Sequence, residues 1–122
     1  MKFRALVVDD NCNNLMLEKD LLEVASFEVF EAKDAGSGIT IARKERPDVI
    51  IMDVRLPDIR GSEAAILLRQ YEETRGIPII FVTASVMSDG REEIKAIPNT
   101  GFIGKPINTR TFAQQIREFM DQ

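Results

Sequence analysis

Histidine is missing from all 122 residues. Its absence removes the commonest general base and a common metal ligand, so any chemistry must run on carboxylates, hydroxyls and lysine. Cysteine occurs once, at Cys12, which excludes an internal disulfide and leaves a thiol with no redox partner. No apolar run approaches the ~20 residues that span a bilayer. The start, Met1-Lys2-Phe3-Arg4, reaches strand-like residues without the apolar stretch of a signal peptide. A cytoplasmic location without membrane contact is the resulting expectation. Basic residues are outnumbered, 16 Lys and Arg against 20 Asp and Glu, for a net charge of −4. That balance argues against a concentrated basic face and against direct nucleic-acid binding. Linkers, repeats and low-complexity stretches are absent, and no glycine-rich phosphate loop supports nucleotide binding.

What is present is an ordinary globular composition, 44% apolar and 30% charged. A chain of this size buries about two-thirds of its surface on folding, enough for a single core. One domain over residues 1–122 is expected. Short β-branched runs alternate with longer segments of helical period, the signature of βα units. The first run, Arg4 to Asp9, reads as a strand buried on both sides, and Leu15, Leu17, Leu21, Leu22 and Val24 after it suit a helix face. Phe27 to Ala32 alternates Glu28 and Glu31 with apolar residues, as an edge strand does. Ile39, Ile41 and Ala42 mark a second helix that Pro47 ends, and Val49 to Asp53 is a third strand. A turn-rich loop, Leu56 to Gly61, leads into a helix from about Ser62 to Glu73, closed by Gly76. Ile77 to Val82 is the fourth strand. A weaker helix over Asp89 to Ala96 is stopped by Pro98 and Asn99. Gly101 to Gly104 is the fifth strand, and Thr109 or Asn108 can cap a final helix carrying Phe112, Ile116, Phe119 and Met120. Five βα units give an α/β fold, an open, doubly wound parallel sheet with helices on both faces.

In such a sheet, ligands bind beyond the carboxyl ends of the strands. Those ends carry Asp9-Asp10, Asp53, Thr83 and, after the fifth strand, Lys105-Pro106. Three converging carboxylates repel one another, and a hard divalent cation such as Mg²⁺ relieves this with oxygen ligands. A lysine and a threonine hydroxyl suit phosphoryl oxygens.

The set Asp9-Asp10, Asp53, Thr83-Ala84 and Lys105-Pro106, with Leu56-Pro57-Asp58 and Gly61 after the third strand, resembles the receiver domain of two-component response regulators, the single-domain chemotaxis type included. The resemblance covers essentially the whole chain. It implies a flavodoxin-like three-layer α/β/α sandwich whose five parallel strands run in the order 2-1-3-4-5. It also implies that Asp53 takes a phosphoryl group from a phosphohistidine on a sensor histidine kinase or histidine phosphotransfer protein. Mg²⁺ would be held by Asp10 directly, by Asp9 through water, by Asp53 and by the backbone carbonyl of Arg55. Lys105 would pair with the phosphoryl group, and Thr83 would move toward it. Phe102 would report the change to a downstream protein partner at the surface of the fourth helix, fifth strand and fifth helix. Such a domain is a signalling phosphoacceptor that assists its own phosphorylation and dephosphorylation rather than an enzyme. In-line phosphoryl transfer asks for positioning and charge neutralisation, which a site without histidine supplies.

Taken singly, Asp9-Asp10 reads as a helix cap with a first-turn acid, Thr83 as a cap, Lys105 as an exposed charge and Phe102 as partly buried core. Cys12 reads as a passive neighbour of the site, and the pairs Glu72-Glu73 and Glu92-Glu93 as solvated helix faces. Two departures stand out. Arg55 puts a large cation two positions after Asp53, where this family tunes how quickly the phosphoryl group is lost, and Pro98 should shorten or redirect the fourth helix. The other classes weighed are a receiver-like interaction module that never turns over phosphate and an aspartate-nucleophile phosphohydrolase. The latter needs an Asp-x-Asp pair and a lid domain that 122 residues do not hold. Since five βα units consume this length, output must come from the surface of this domain or from a segment outside the chain.

Overall fold

Short runs of Val, Ile and Leu become strands when both faces of a parallel sheet are covered, because a pleated ribbon then offers apolar surroundings on either side. In the computed structural model, which describes residues 2–84 and 94–121, five segments form strands, and the three inner ones are such buried runs. The five are β1 (Arg4–Val8), β2 (Glu28–Ala32), β3 (Val49–Asp53), β4 (Ile79–Thr83) and β5 (Thr100–Gly104). All pair in parallel, in the order β2-β1-β3-β4-β5. The helices among the described residues are α1 (Cys12–Val24), α2 (Ala35–Glu45), α3 (Gly61–Gln70) and α4 (Phe112–Met120).

The alternation of side chains along each strand sorts the core into two layers. Leu6, Val8, Ile50, Met52, Ile79 and Phe81 face α2 and α3, meeting Ala35, Ala42, Ala64, Ala65 and Leu68. Ala5, Val7, Val49, Ile51, Ile80 and Val82 face α1 and α4, meeting Leu15, Leu22, Phe112 and Ile116. The sheet is thus covered on both sides, the three-layer sandwich expected. At its edge, β2 presents Glu28 and Glu31 to solvent, where Arg4 Nε pairs with Glu28 at 3.1 Å and Lys19 Nζ with Glu31 at 3.2 Å.

Caps and long-range hydrogen bonds hold the helices in place. Asn11 Oδ1 accepts from the backbone N–H of Asn13 and Asn14, and Asp34 from that of Ser37. Arg46, with φ 48°, closes α2 in the left-handed conformation one residue before Pro47. Asp58 reaches back from the loop after β3, and its two carboxylate oxygens accept from Ala35 and Gly36 N–H at 2.9 Å each. Those bonds, that of Ala35 foremost, hold the Asp58 carboxyl below the usual carboxylate range. Because the folded value is lowered, the stabilisation is full above the ordinary carboxylate range and is lost as pH falls through the lowered value. Arg69 is a second tie: Nε and Nη2 donate to the carbonyls of Pro98 and Asn99 at 3.1 Å each, and Nη1 to that of Thr74.

Several sequence expectations shift. Leu17 and Val24 are 40% and 86% exposed, so they do not belong to the buried face of α1. That face is Leu15, Glu18 and Leu22, because spacings of three and four residues, not apolar character, select the stripe against the sheet. Helix α3 ends at Gln70 rather than Glu73, with Tyr71 extended at its C-cap. Glu73, expected on a solvated face, pairs with Arg43 at 2.9 Å. The N-cap of α4 is Thr111, not Asn108 or Thr109, since Asn108 is used one turn earlier, accepting the N–H of Arg110 with its side chain. The expected helix from Asp89 to Ala96 lies outside the described residues up to residue 93, and so does the Glu92-Glu93 pair.

Gly61 starts α3 against the end of β3. A Cβ there would lie 2.6 Å from the backbone oxygen of Asp53 and 2.9 Å from the Phe81 ring. Gly61→Ala is therefore expected to destabilise the fold by about 1–3 kcal/mol, read as a lower Tm, with the loss falling at the strand end that carries Asp53.

Candidate functional site

The carboxyl ends of β1, β3 and β4 and the residue after β5 meet at one rim. Asp9 follows β1 and is 1% exposed, its backbone N–H bonded to the Ala32 carbonyl of β2. Asp10 lies beside it at the surface. Asp53 ends β3, with its side chain 15% exposed. Thr83 ends β4 and is buried. Its carbonyl accepts the backbone N–H of Lys105 at 2.7 Å, which fastens the chain after β5 to the end of β4. The Lys105-Pro106 peptide bond is cis.

Charge dominates the geometry. One carboxylate oxygen from each of Asp9, Asp10 and Asp53 lies within 4.8 Å of the others. Lys105 Nζ stands 3.3 Å from Asp53 Oδ2 and 3.7 Å from Asp9 Oδ2. The remaining oxygens are held by the backbone, Asp53 Oδ1 by Arg55 N–H at 3.2 Å and Asp9 Oδ1 by Asn11 N–H at 2.9 Å. Burial pushes the Asp9 carboxyl up, and the Asp53 and Asp10 charges add to it, against the pull of Asn11 N–H and Lys105. Asp9 Oδ2 is buried without a hydrogen-bond partner. Three crowded carboxylates and an orphaned buried oxygen make a donor set of oxygen alone, which fits a hard divalent cation.

Above these acids opens a cleft of about 490 Å³, walled by Asp10, Asn14, Asp53, Arg55, Thr83 and Lys105. Every site residue anticipated from the sequence borders it except Asp9, which lies beneath, and Phe102. The half-buried Phe102 ring sits on β5, 6.0 Å from that of Phe81. Cys12 is exposed as the first residue of α1.

One neighbour escapes sequence inspection. Glu18 on α1 is 3% exposed, near Asp9 and Lys105. Burial first, then the Asp9 charge, pushes its carboxyl up to about 8. The available signal was positional, three residues after Leu15 and four before Leu22, on the stripe that faces the sheet.

The family model of the response regulator receiver domain matches residues 5–117. This chain belongs to that family. Among relatives of the receiver, the polar-differentiation response regulator DivK of Brucella anthropi is 34% identical over 115 residues, 94% of each chain. The fold is shared with the chemotaxis response regulator CheY4 of Vibrio cholerae, at TM-score 0.91 and 29% identity over 98% of this chain and 99% of that one. It is shared equally with the receiver domain of sensor histidine kinase PA1611 from Pseudomonas aeruginosa, at TM-score 0.91 and 25% identity over the whole of both chains. That structure has a magnesium ion coordinated in its active site cleft. Receivers are signalling phosphoacceptors of two-component systems rather than classical enzymes. No helix among the described residues of this receiver is long and apolar enough to cross a membrane.

Lys105 pairs with both Asp9 and Asp53, so removing its ammonium takes that compensation from two shielded carboxylates. Lys105→Met is expected to cost about 1–3 kcal/mol of stability at neutral pH. Thermal melts with and without Mg²⁺ check it: the ion should raise the Tm of the variant by more than that of the parent.

Proposed function

We propose that this receiver accepts a phosphoryl group on Asp53 from a phosphohistidine of a sensor histidine kinase or histidine phosphotransfer protein, with Mg²⁺, and thereby switches a protein-interaction surface. The observation that carries this is the Asp53 carboxylate at the floor of the cleft with Lys105 Nζ 3.3 Å away. Residues 1–122 act as one receiver domain in the cytoplasm. Neither nucleic acid nor a membrane is a direct partner.

The chemistry follows from what each side chain offers. An Asp53 oxygen attacks phosphorus as the bond from phosphorus to the donor imidazole nitrogen breaks, and that nitrogen leaves with the bonding pair. Arg55 N–H on Asp53 Oδ1 fixes the rotation of the carboxylate before attack. Lys105 is placed to follow the charge from the carboxylate to the incoming phosphoryl oxygens, and the Thr83 hydroxyl to donate to one of them. Asp10 and Asp53, the backbone carbonyl of Arg55 and, through water, Asp9 would hold Mg²⁺, which supplies charge neutralisation for the transferring group. Water attacking the phosphorus of the acyl phosphate expels the Asp53 carboxylate and releases inorganic phosphate, with Lys105 offsetting the charge, so the switch resets itself.

The signal leaves through the far edge of the sheet. Thr83 and Gly104 are register partners, as are Phe81 and Phe102, so the end of β4 and the Phe102 ring share one strand pair. A hollow of about 440 Å³ lies beyond, between β5 and α4, bordered by Phe102, Ile103, Gln115 and Phe119. A downstream protein reads this face, together with the segment before β5.

A small phosphodonor with Mg²⁺ should add the mass of one phosphoryl group to the parent and none to Asp53→Ala. A label that resists hydroxylamine, or that persists in Asp53→Ala, would defeat the proposal. Arg55 lines the cleft beside Asp53, and we expect Arg55→Asn to change the dephosphorylation rate of the labelled protein. An unchanged rate removes Arg55 from the control of lifetime.

A further inference from the structure

Arg69 stands in the last turn of α3, half-buried, with its guanidinium set against carbonyl oxygens alone. Nε and Nη2 meet the carbonyls of Pro98 and Asn99 at 3.1 Å each, and Nη1 that of Thr74 at 3.3 Å. Among the described residues no carboxylate is paired with it, and burial alone draws the guanidinium below the usual arginine range. Desolvating a cation is costly, and here these three bonds are what offsets it. Two of the three carbonyls belong to the approach to β5. Residues 94–99 pack inward through Ile94 and Ile97, whose carbonyls accept from the Thr100 hydroxyl at 3.2 and 3.0 Å. Asn99 then turns the chain into β5 with φ 59°, a left-handed conformation that asparagine tolerates but does not enforce. Such a residue persists only where its surroundings hold it. Arg69 grips the carbonyl of that residue and of the one before it.

Helix α3 is the post for this grip. It begins against the backbone of Asp53, with Gly61 N–H bonded to the Val54 carbonyl at 2.8 Å, and its last turn reaches the segment that enters β5. One helix thus lies between the strand end that carries the phosphoacceptor and the face assigned to output. We propose that Arg69 is an autoinhibitory clamp: by binding the Pro98 and Asn99 carbonyls to α3, it holds the approach to β5, and with it the output face, in the unphosphorylated arrangement. This inference rests on the reading of that face as the one switched by a phosphoryl group on Asp53. A planar fork on three carbonyls opposes displacement of the segment, because any such movement has to break bonds to a shielded cation. The clamp therefore adds to the free energy that a ligand at Asp53 must supply to move the face. Loosening it lowers that requirement, and the gain appears as tighter binding at the distant site. Loss of a merely structural tie would leave such binding equal or weaken it.

The test uses the whole chain as parent, Arg69→Met and Arg69→Lys. Fluoroberyllate, a reversible mimic of a phosphoryl group, is titrated into each with Mg²⁺, and amide hydrogen exchange over residues 97–104 is followed in the unliganded proteins. Methionine keeps much of the apolar stem and removes every donor, whereas lysine keeps the charge without the fork. Arg69→Met should exchange faster over these residues and bind fluoroberyllate about fivefold more tightly than the parent, with Arg69→Lys between the two. Unchanged exchange overturns the proposal, since the segment is then held without Arg69. Faster exchange with equal or weaker fluoroberyllate binding overturns it as well, because the tie is then structural only. Should Arg69→Met fail to fold, Arg69→Lys alone carries the same outcomes. Phosphoryl labelling of Asp53 is measured separately on the parent. Normal labelling without tighter binding in the variants removes the clamp alone, whereas the absence of Asp53-dependent labelling overturns the reading beneath it.

Discussion

One ammonium group against three carboxylates is the constraint on which this molecule turns. A parallel sheet delivers every strand at the same edge, so residues that end strands are neighbours however far apart they lie in the chain. Here the delivered groups are Asp9, Asp10 and Asp53, and Lys105 Nζ stands between Asp9 and Asp53. The arrangement is tolerable at rest and unbalanced by design. It leaves negative charge that suits a divalent cation, and in the proposed phosphorylation Lys105 would follow that charge to the phosphoryl group.

The surrounding fold holds the parts of this charge balance rigidly on one side. The loop after β3 is pinned to the start of α2 by Asp58, and Gly61 lets α3 begin in contact with the Asp53 backbone. On the other side a backbone bond from Lys105 N–H to the Thr83 carbonyl joins two residues that wall the cleft.

How much of this was legible depended on whether a residue's role was local. Strand β3 could be read directly, because an unbroken apolar run ending in Asp53 has one sensible interpretation in a doubly wound sheet. The edge character of β2 followed from the alternation of Glu28 and Glu31. Helix α1 misled, since Leu15, Met16, Leu17, Leu21, Leu22 and Val24 fit more than one apolar face. The stripe chosen by the sheet includes a carboxyl and leaves Leu17 and Val24 in water. Periodicity weighs side chains by their apolarity, and a buried Glu18 inverts that weight. The ties made by Asp58 and Arg69 were invisible for another reason. These long-range partners lie 22 and 23 residues from Asp58 and 29 and 30 from Arg69, and nothing in a turn-rich loop names a distant N–H or carbonyl as its ligand.

The two charged pairs along β2 bear on how copies of this protein meet. The outermost strand of a sheet offers a row of unsatisfied amides and carbonyls, an invitation for a strand of another molecule to add on and for the sheet to grow into a fibre. An incoming chain at β2 would have to approach past Arg4, Glu28, Lys19 and Glu31, already matched with one another and hydrated. That border of ions discourages aggregation along this edge of the sheet.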